Sequence, residues 1–153
     1  MSISSRLGNK KVQRNTFIGI VSGVVILVIT FGLMYFLIQG SYAKPTYSFS
    51  SNKLIISGQY GVKINLSGAT VTHELSLVPA TPIHTNGAAI GNIEKGYFKL
   101  GNLKVYLNIM DQNASNYILI TDSNGSEYYI NCASPVETNK LFDEISKNNG
   151  STK

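Results

Sequence analysis

Gly96-Tyr97-Phe98-Lys99-Leu100-Gly101-Asn102-Leu103-Lys104-Val105-Tyr106-Leu107-Asn108-Ile109 is the stretch that decides the fold class. Leu103, Val105, Leu107 and Ile109 alternate with Lys104, Tyr106 and Asn108, the period of two that marks a strand with one face toward a core. Gly96 to Leu100 reads as a shorter strand, and Gly101-Asn102 between the two supplies residues that tolerate positive φ. The stretch is therefore expected to form a β-hairpin.

The same alternation extends in both directions. Toward the N-terminus, Leu54 and Ile56 share one face of a first strand, and Val62, Ile64 and Leu66 one face of a second, with Lys63 and Asn65 outward. In a third, Val71, His73, Leu75 and Leu77 point inward and Thr72, Glu74 and Ser76 outward. A long loop is expected from Pro79 to Lys95. Toward the C-terminus, Tyr117 to Thr121 and Glu127 to Cys132 flank the turn Ser123-Asn124-Gly125. The count is seven strands, spaced so closely that antiparallel neighbours are expected. The period then changes. Ser134-Pro135-Val136-Glu137 places an N-cap serine before a proline at the first helical position and a glutamate three residues on. Thr138, Leu141, Phe142 and Ile145 follow as one apolar stripe, and Asn149-Gly150 ends the helix.

Ahead of all this stands a different kind of segment. Thr16 to Ile38 is 23 residues without a charge, proline, asparagine or glutamine. As a helix it would be roughly 34 Å long, enough to cross a hydrocarbon core of about 30 Å. Arg6, Lys10, Lys11 and Arg14 precede it with no acid among them, so the positive-inside bias predicts a cytoplasmic N-terminus and an extracytoplasmic C-terminal domain. Ser41-Tyr42-Ala43 has the small residues of a signal-peptidase site, and cleavage there would give a secreted domain. The apolar core is longer than a signal core, which favours an uncleaved anchor. Gly19 and Gly23 form a GxxxG pair through which two such helices would pack as a homodimer. The expected division is a basic cytoplasmic tail over 1–15, a transmembrane helix over 16–38, a linker over 39–46 and a β domain over 47–150.

Charge follows the same division. Four of the 13 Lys and Arg lie in the tail; the nine lysines from Lys44 onward face all eight acids, so the remainder nets +1. A nearly neutral domain gains little from counterion release, which excludes nucleic acid as a leading partner. The single cysteine, Cys132, excludes an internal disulfide.

In order and spacing the domain resembles the bacterial pleckstrin-homology (PH)-like family in its membrane-anchored form. The marks are Lys53-Leu54-Ile55-Ile56-Ser57-Gly58 with Tyr60-Gly61, Leu77-Val78-Pro79, Thr85-Asn86-Gly87, and Gly96-Tyr97-Phe98-Lys99-Leu100. Tyr129-Ile130-Asn131, Pro135, Thr138 and Leu141-Phe142 complete them. The resemblance implies a mainly β, seven-stranded antiparallel sandwich or barrel capped by one C-terminal α-helix. It implies no agreed ligand or activity.

Reactive chemistry is sparse. The imidazoles are His73, on an apolar strand face, and His84, in the long loop. Neither has a nucleophile or acid at a recognisable catalytic spacing, and no metal-ligand or phosphate-loop pattern is present. No catalytic residue, cofactor or metal is expected. Cys132 alternates with Tyr128 and Ile130 as a small core residue. Phosphoinositide binding would need several cations about the first hairpin, which offers only Lys53 and Lys63. The best candidate for function is the long loop, at His84, Thr85, Asn86 and Gly87, for a protein or peptide partner. Tyr60, Tyr97, Tyr106 and Tyr129 are expected as an exposed tyrosine surface. The expectation is a non-catalytic binding or scaffolding module near the bilayer. An extracytoplasmic enzyme using His84, and the same domain held on the cytosolic side, stand as alternatives.

Overall fold

A computed structural model of the chain describes residues 3–75 and 83–149. It divides into two units, 1–39 and 40–153. The first is nearly all of helix α1 (Ile3–Tyr42), which overruns both ends of the expected 16–38 span. Nothing in Gln39–Tyr42 breaks a helix, and Pro45 bars continuation soon after. Among the described residues this is the one helix long and apolar enough to cross a membrane, over Gln13–Tyr42, and its most apolar stretch is not buried against the rest of the chain. Its apolar side chains point outward all round, from Phe17 to Leu37, as lipid-facing helices require and water-facing ones avoid. Arg6, Lys10 and Lys11 lie in its first turns, and Arg14 is exposed.

The second unit is mainly β, with two sheets and a closing helix. The first sheet has three antiparallel strands in the order β1 (Thr46–Ser50), β2 (Lys53–Ser57) and β3 (Val62–Asn65). The second has six: β4 (Thr70–Glu74), β5 (Ile83–Ile90), β6 (Ile93–Leu100), β7 (Leu103–Ile109), β8 (Tyr117–Thr121) and β9 (Glu127–Ile130). Their spatial order is β4-β8-β9-β7-β6-β5. Helix α2 (Pro135–Asn148) follows as expected, with the Ser134 hydroxyl accepting from the Glu137 N–H and Thr138, Leu141 and Ile145 buried.

Among the described residues nine strands stand where seven were expected. β1 was assigned to no strand, its first residue closing the expected linker and the rest opening the β domain, yet Thr-Tyr-Ser-Phe-Ser alternates. Its Tyr47 and Phe49 pack on the core, and Ser51 and Asn52 at φ 47° and 59° make the two-residue turn into β2. β5 was read as loop and is treated below. The all-antiparallel expectation also fails at one seam. The chain leaves β7, forms β8, and returns as β9 between them, parallel to β7. Asn131, 1% exposed, holds the departing turn: its Oδ1 accepts from the Met110 and Asp111 N–H groups (2.7 and 3.2 Å) and its Nδ2 donates to the Asp111 carbonyl (2.7 Å).

This seam gives the large sheet a core on each face. Tyr106, Ile118, Ile120 and Ile130 pack with Leu54, Ile56, Ile64 and Leu66 of the small sheet and with Leu141 and Ile145 of α2. Phe98, Val105, Leu107, Ile109, Tyr117 and Tyr129 form the other cluster. β7 is therefore buried on both sides, and the exposed tyrosine surface does not exist: Tyr106 and Tyr129 are buried and Tyr60 and Tyr97 half-buried. Leu75, expected inward, is exposed just beyond β4, while Ser76 to Pro79 and Gly150 lie outside the described residues.

Candidate functional site

The residues singled out as a loop, His84 to Gly87, are strand. β5 pairs with β6 from Ile83↔Lys99 to Ile90↔Ile93, with a bulge between His84 and Asn86. Two dipeptides here can turn a hairpin, Asn86-Gly87 and Gly91-Asn92, and the chain turns only at the second, where Gly91 has φ 58°. Gly87 serves another purpose. It lies opposite Gly96, and a Cβ on Gly87 would stand 2.4 Å from the Lys95 carbonyl oxygen. A Cβ on Gly96, whose φ is +108°, would meet the Asn86 oxygen at 2.4 Å and the Gly87 Cα at 2.6 Å. The two backbones approach so closely that only glycine fits either position. The partner that these small residues admit is thus a strand of the same chain.

At the bulge the Thr85 hydroxyl donates to the Tyr97 carbonyl (2.8 Å), adding a side-chain bond across the irregular part of the ladder. Thr85, Asn86 and Ala89 are exposed. The imidazole of His84 lies outside the described residues, although its backbone sits opposite Phe98.

β5 ends the six-strand order, so among the described residues its outer row of N–H and C=O groups has no strand beside it. Natural edges are usually blunted by charge, proline or brevity. β5 is eight residues long and contains no Asp, Glu, Lys, Arg or Pro. Among the described residues, one bulge is what blunts it. Beside its first residue stand two cations that sequence reading did not single out. Lys99 and Lys104 are directly opposite each other on β6 and β7, both exposed, and the Lys104 ammonium lies 4.7 Å over the Tyr97 ring. Among the described residues neither lysine is in an ion pair, the one such pair being Lys44–Glu137. Like charges directly opposite destabilise a sheet, and an anion laid over them would relieve the repulsion.

No protein-family model, no curated protein and no solved structure matches the chain. A function must then be argued from sites rather than from kinship.

The remaining reactive groups are enclosed. His73 stacks on Phe142 with ring centroids 5.1 Å apart. Cys132 is buried, and burial pushes its thiol above the usual range, away from nucleophilic use. Among the described residues no three of His, Cys, Asp or Glu are grouped to hold a metal ion.

Proposed function

We propose that this chain is a single-pass membrane protein whose outward-facing β domain is a non-catalytic binding module. It recognises an extended peptide that adds as a strand to β5. One observation carries the reading: an eight-residue, uncharged, proline-free strand at the open end of a six-stranded sheet. Main-chain hydrogen bonds to the edge supply affinity and side chains on one face supply selectivity. Lys99 and Lys104 favour a peptide with acidic residues near Ile83. The resemblance to the bacterial PH-like family belongs to this proposal. The C-terminal helix after the last strand supports it, while β1, β5 and the parallel β7–β9 pair are additions it does not account for.

Peptides selected from a random display library on the full chain in lipid nanodiscs test the reading. Selected sequences are expected to be extended and acidic, to slow amide hydrogen exchange in β5, and to lose binding in Ala89→Pro. Protection elsewhere, with β5 amides unchanged, would overturn it. Orientation is tested separately by protease shaving of intact cells: a protected C-terminal domain would place it on the cytosolic side.

A further inference from the structure

A second site lies away from β5. A cavity of about 280 Å³ opens between α2 and the chain entering β1. Its apolar lining comes from Tyr47, Met110, Cys132 and Leu141. Its charged lining comes from Lys44, Glu137, Lys140 and Glu144, two cations and two anions. The wall is built. Lys95, 3% exposed, donates from its ammonium to the carbonyls of Ser41 (2.8 Å) and Ala43 (2.6 Å), while the Ser41 hydroxyl donates to Gln59 Oε1 (3.1 Å). These bonds tie down the residues immediately before Lys44 and Pro45, so the wall does not depend on a ligand to form. Beneath, the Tyr47 hydroxyl accepts from the Asn108 amide at 3.1 Å, fixing the floor.

We infer that this cavity receives a zwitterionic membrane lipid of the phosphoethanolamine class, headgroup among the four charges and the first part of one acyl chain on the apolar floor. Three observations choose this occupant. The volume is at the lower end of ligand sites, about 300 Å³, so it takes part of a flexible molecule rather than a whole drug-sized one. The charges balance, so a phosphate meets Lys44 and Lys140 while an ammonium meets Glu137 and Glu144; a net anion would also face the two glutamates. The Lys44–Glu137 pair across the site is 3.4 Å long with both side chains substantially exposed, and such a pair exchanges partners at little cost. Location adds a fourth. Lys44 comes six residues after Ile38, the end of the uncharged run, so covalent geometry keeps it within about 21 Å of that residue. The inference rests on the membrane-anchored part of the proposed function and is independent of the β5 edge.

The test uses the full chain in nanodiscs containing photoactivatable phosphatidylethanolamine, with crosslinked residues mapped by mass spectrometry. Adducts are expected on Met110 and Leu141 as well as within 16–38. Ala133→Trp, at an exposed position lining the cavity, is expected to lower the Met110 and Leu141 adducts about tenfold and leave those in 16–38 unchanged. Lys44→Glu with Lys140→Glu, both on the surface, is a second variant that leaves the floor intact and should abolish the preference over phosphatidylglycerol. Adducts confined to 16–38 would overturn the lipid site and keep the anchor, leaving the cavity to a soluble or peptide ligand. No adducts anywhere would overturn both. Equal cavity labelling with choline, glycerol and ethanolamine headgroups would overturn the headgroup assignment.

Discussion

The six-stranded sheet ends in two unlike edges. β4 is short, half-buried from Val71 to Glu74, and backed by α2 through the His73–Phe142 stack. β5 is longer, uncharged and has exposed residues along it. Both are edges by order, and β5 is the longer and carries no charged residue. What separates them is what packs beside them: β4 follows the small sheet after four intervening residues and its Val71 packs on the shared core, whereas among the described residues the strand beside β5 is β6. An edge becomes a binding element when packing leaves it uncovered and sequence leaves it unguarded.

Four measurements would break or sharpen that contrast. Gly96→Val should have the largest effect, about 4 kcal/mol of stability lost in chemical unfolding. The new side chain meets β5 backbone at a positive φ, whereas Gly101→Ala, in open space, should cost about 1 kcal/mol. Equal losses would mean that β5 is not held by the Gly87–Gly96 approach.

Alkali should come next. Burial raises the hydroxyls of Tyr47, Tyr106 and Tyr129 above the usual tyrosine range, with Glu127, 2.8 Å away, adding to the rise at Tyr129. Raised groups contribute stability that is complete below the unfolded value near 10 and is lost as pH climbs past it. Unfolding free energy should therefore fall above about pH 10, by up to about 1.4 kcal/mol per tyrosine for each pH unit. A stability profile flat from pH 9 to pH 11 would contradict the burial of these side chains.

Thr72→Val on β4 should stabilise by about 1 kcal/mol, because among the described residues the buried Thr72 hydroxyl has no hydrogen-bond partner and valine keeps its shape. A loss instead would mean that the Thr72 hydroxyl reaches water or a partner. Smallest is Lys99→Glu, expected to add about 0.5 kcal/mol at low salt by ending its repulsion with Lys104, and nothing at high salt. The same change should abolish selection of acidic peptides.

Much of this was legible. The Leu103–Ile109 alternation, the Gly101-Asn102 hairpin and the Ser134 cap are local patterns, and each formed where expected because few distant contacts compete with them. Tyr106 and Asn108 looked outward-facing because alternation marks two faces without saying that both are covered. β5 was missed for a different reason. Asn86-Gly87 is a good turn dipeptide, but the Gly87–Gly96 approach holds it extended, and a long-range pairing outweighs a local preference. The signal that would have found it was Gly91-Asn92 between Ile90 and Ile93, an equally good turn five residues on.

The sequence by itself determined that the chain has two unlike parts: an uncharged run long enough to span a bilayer, then a nearly neutral domain of alternating strands closed by a capped helix. These depend on composition and short-range periodicity, which need no partner to be read. The tertiary structure alone decided that β9 enters between β7 and β8, that β5 lies at an end of the large sheet, and that Lys44 stands beside α2 over an apolar cavity. Each of these depends on residues far apart in the chain meeting in space, and no local pattern records which of them meet.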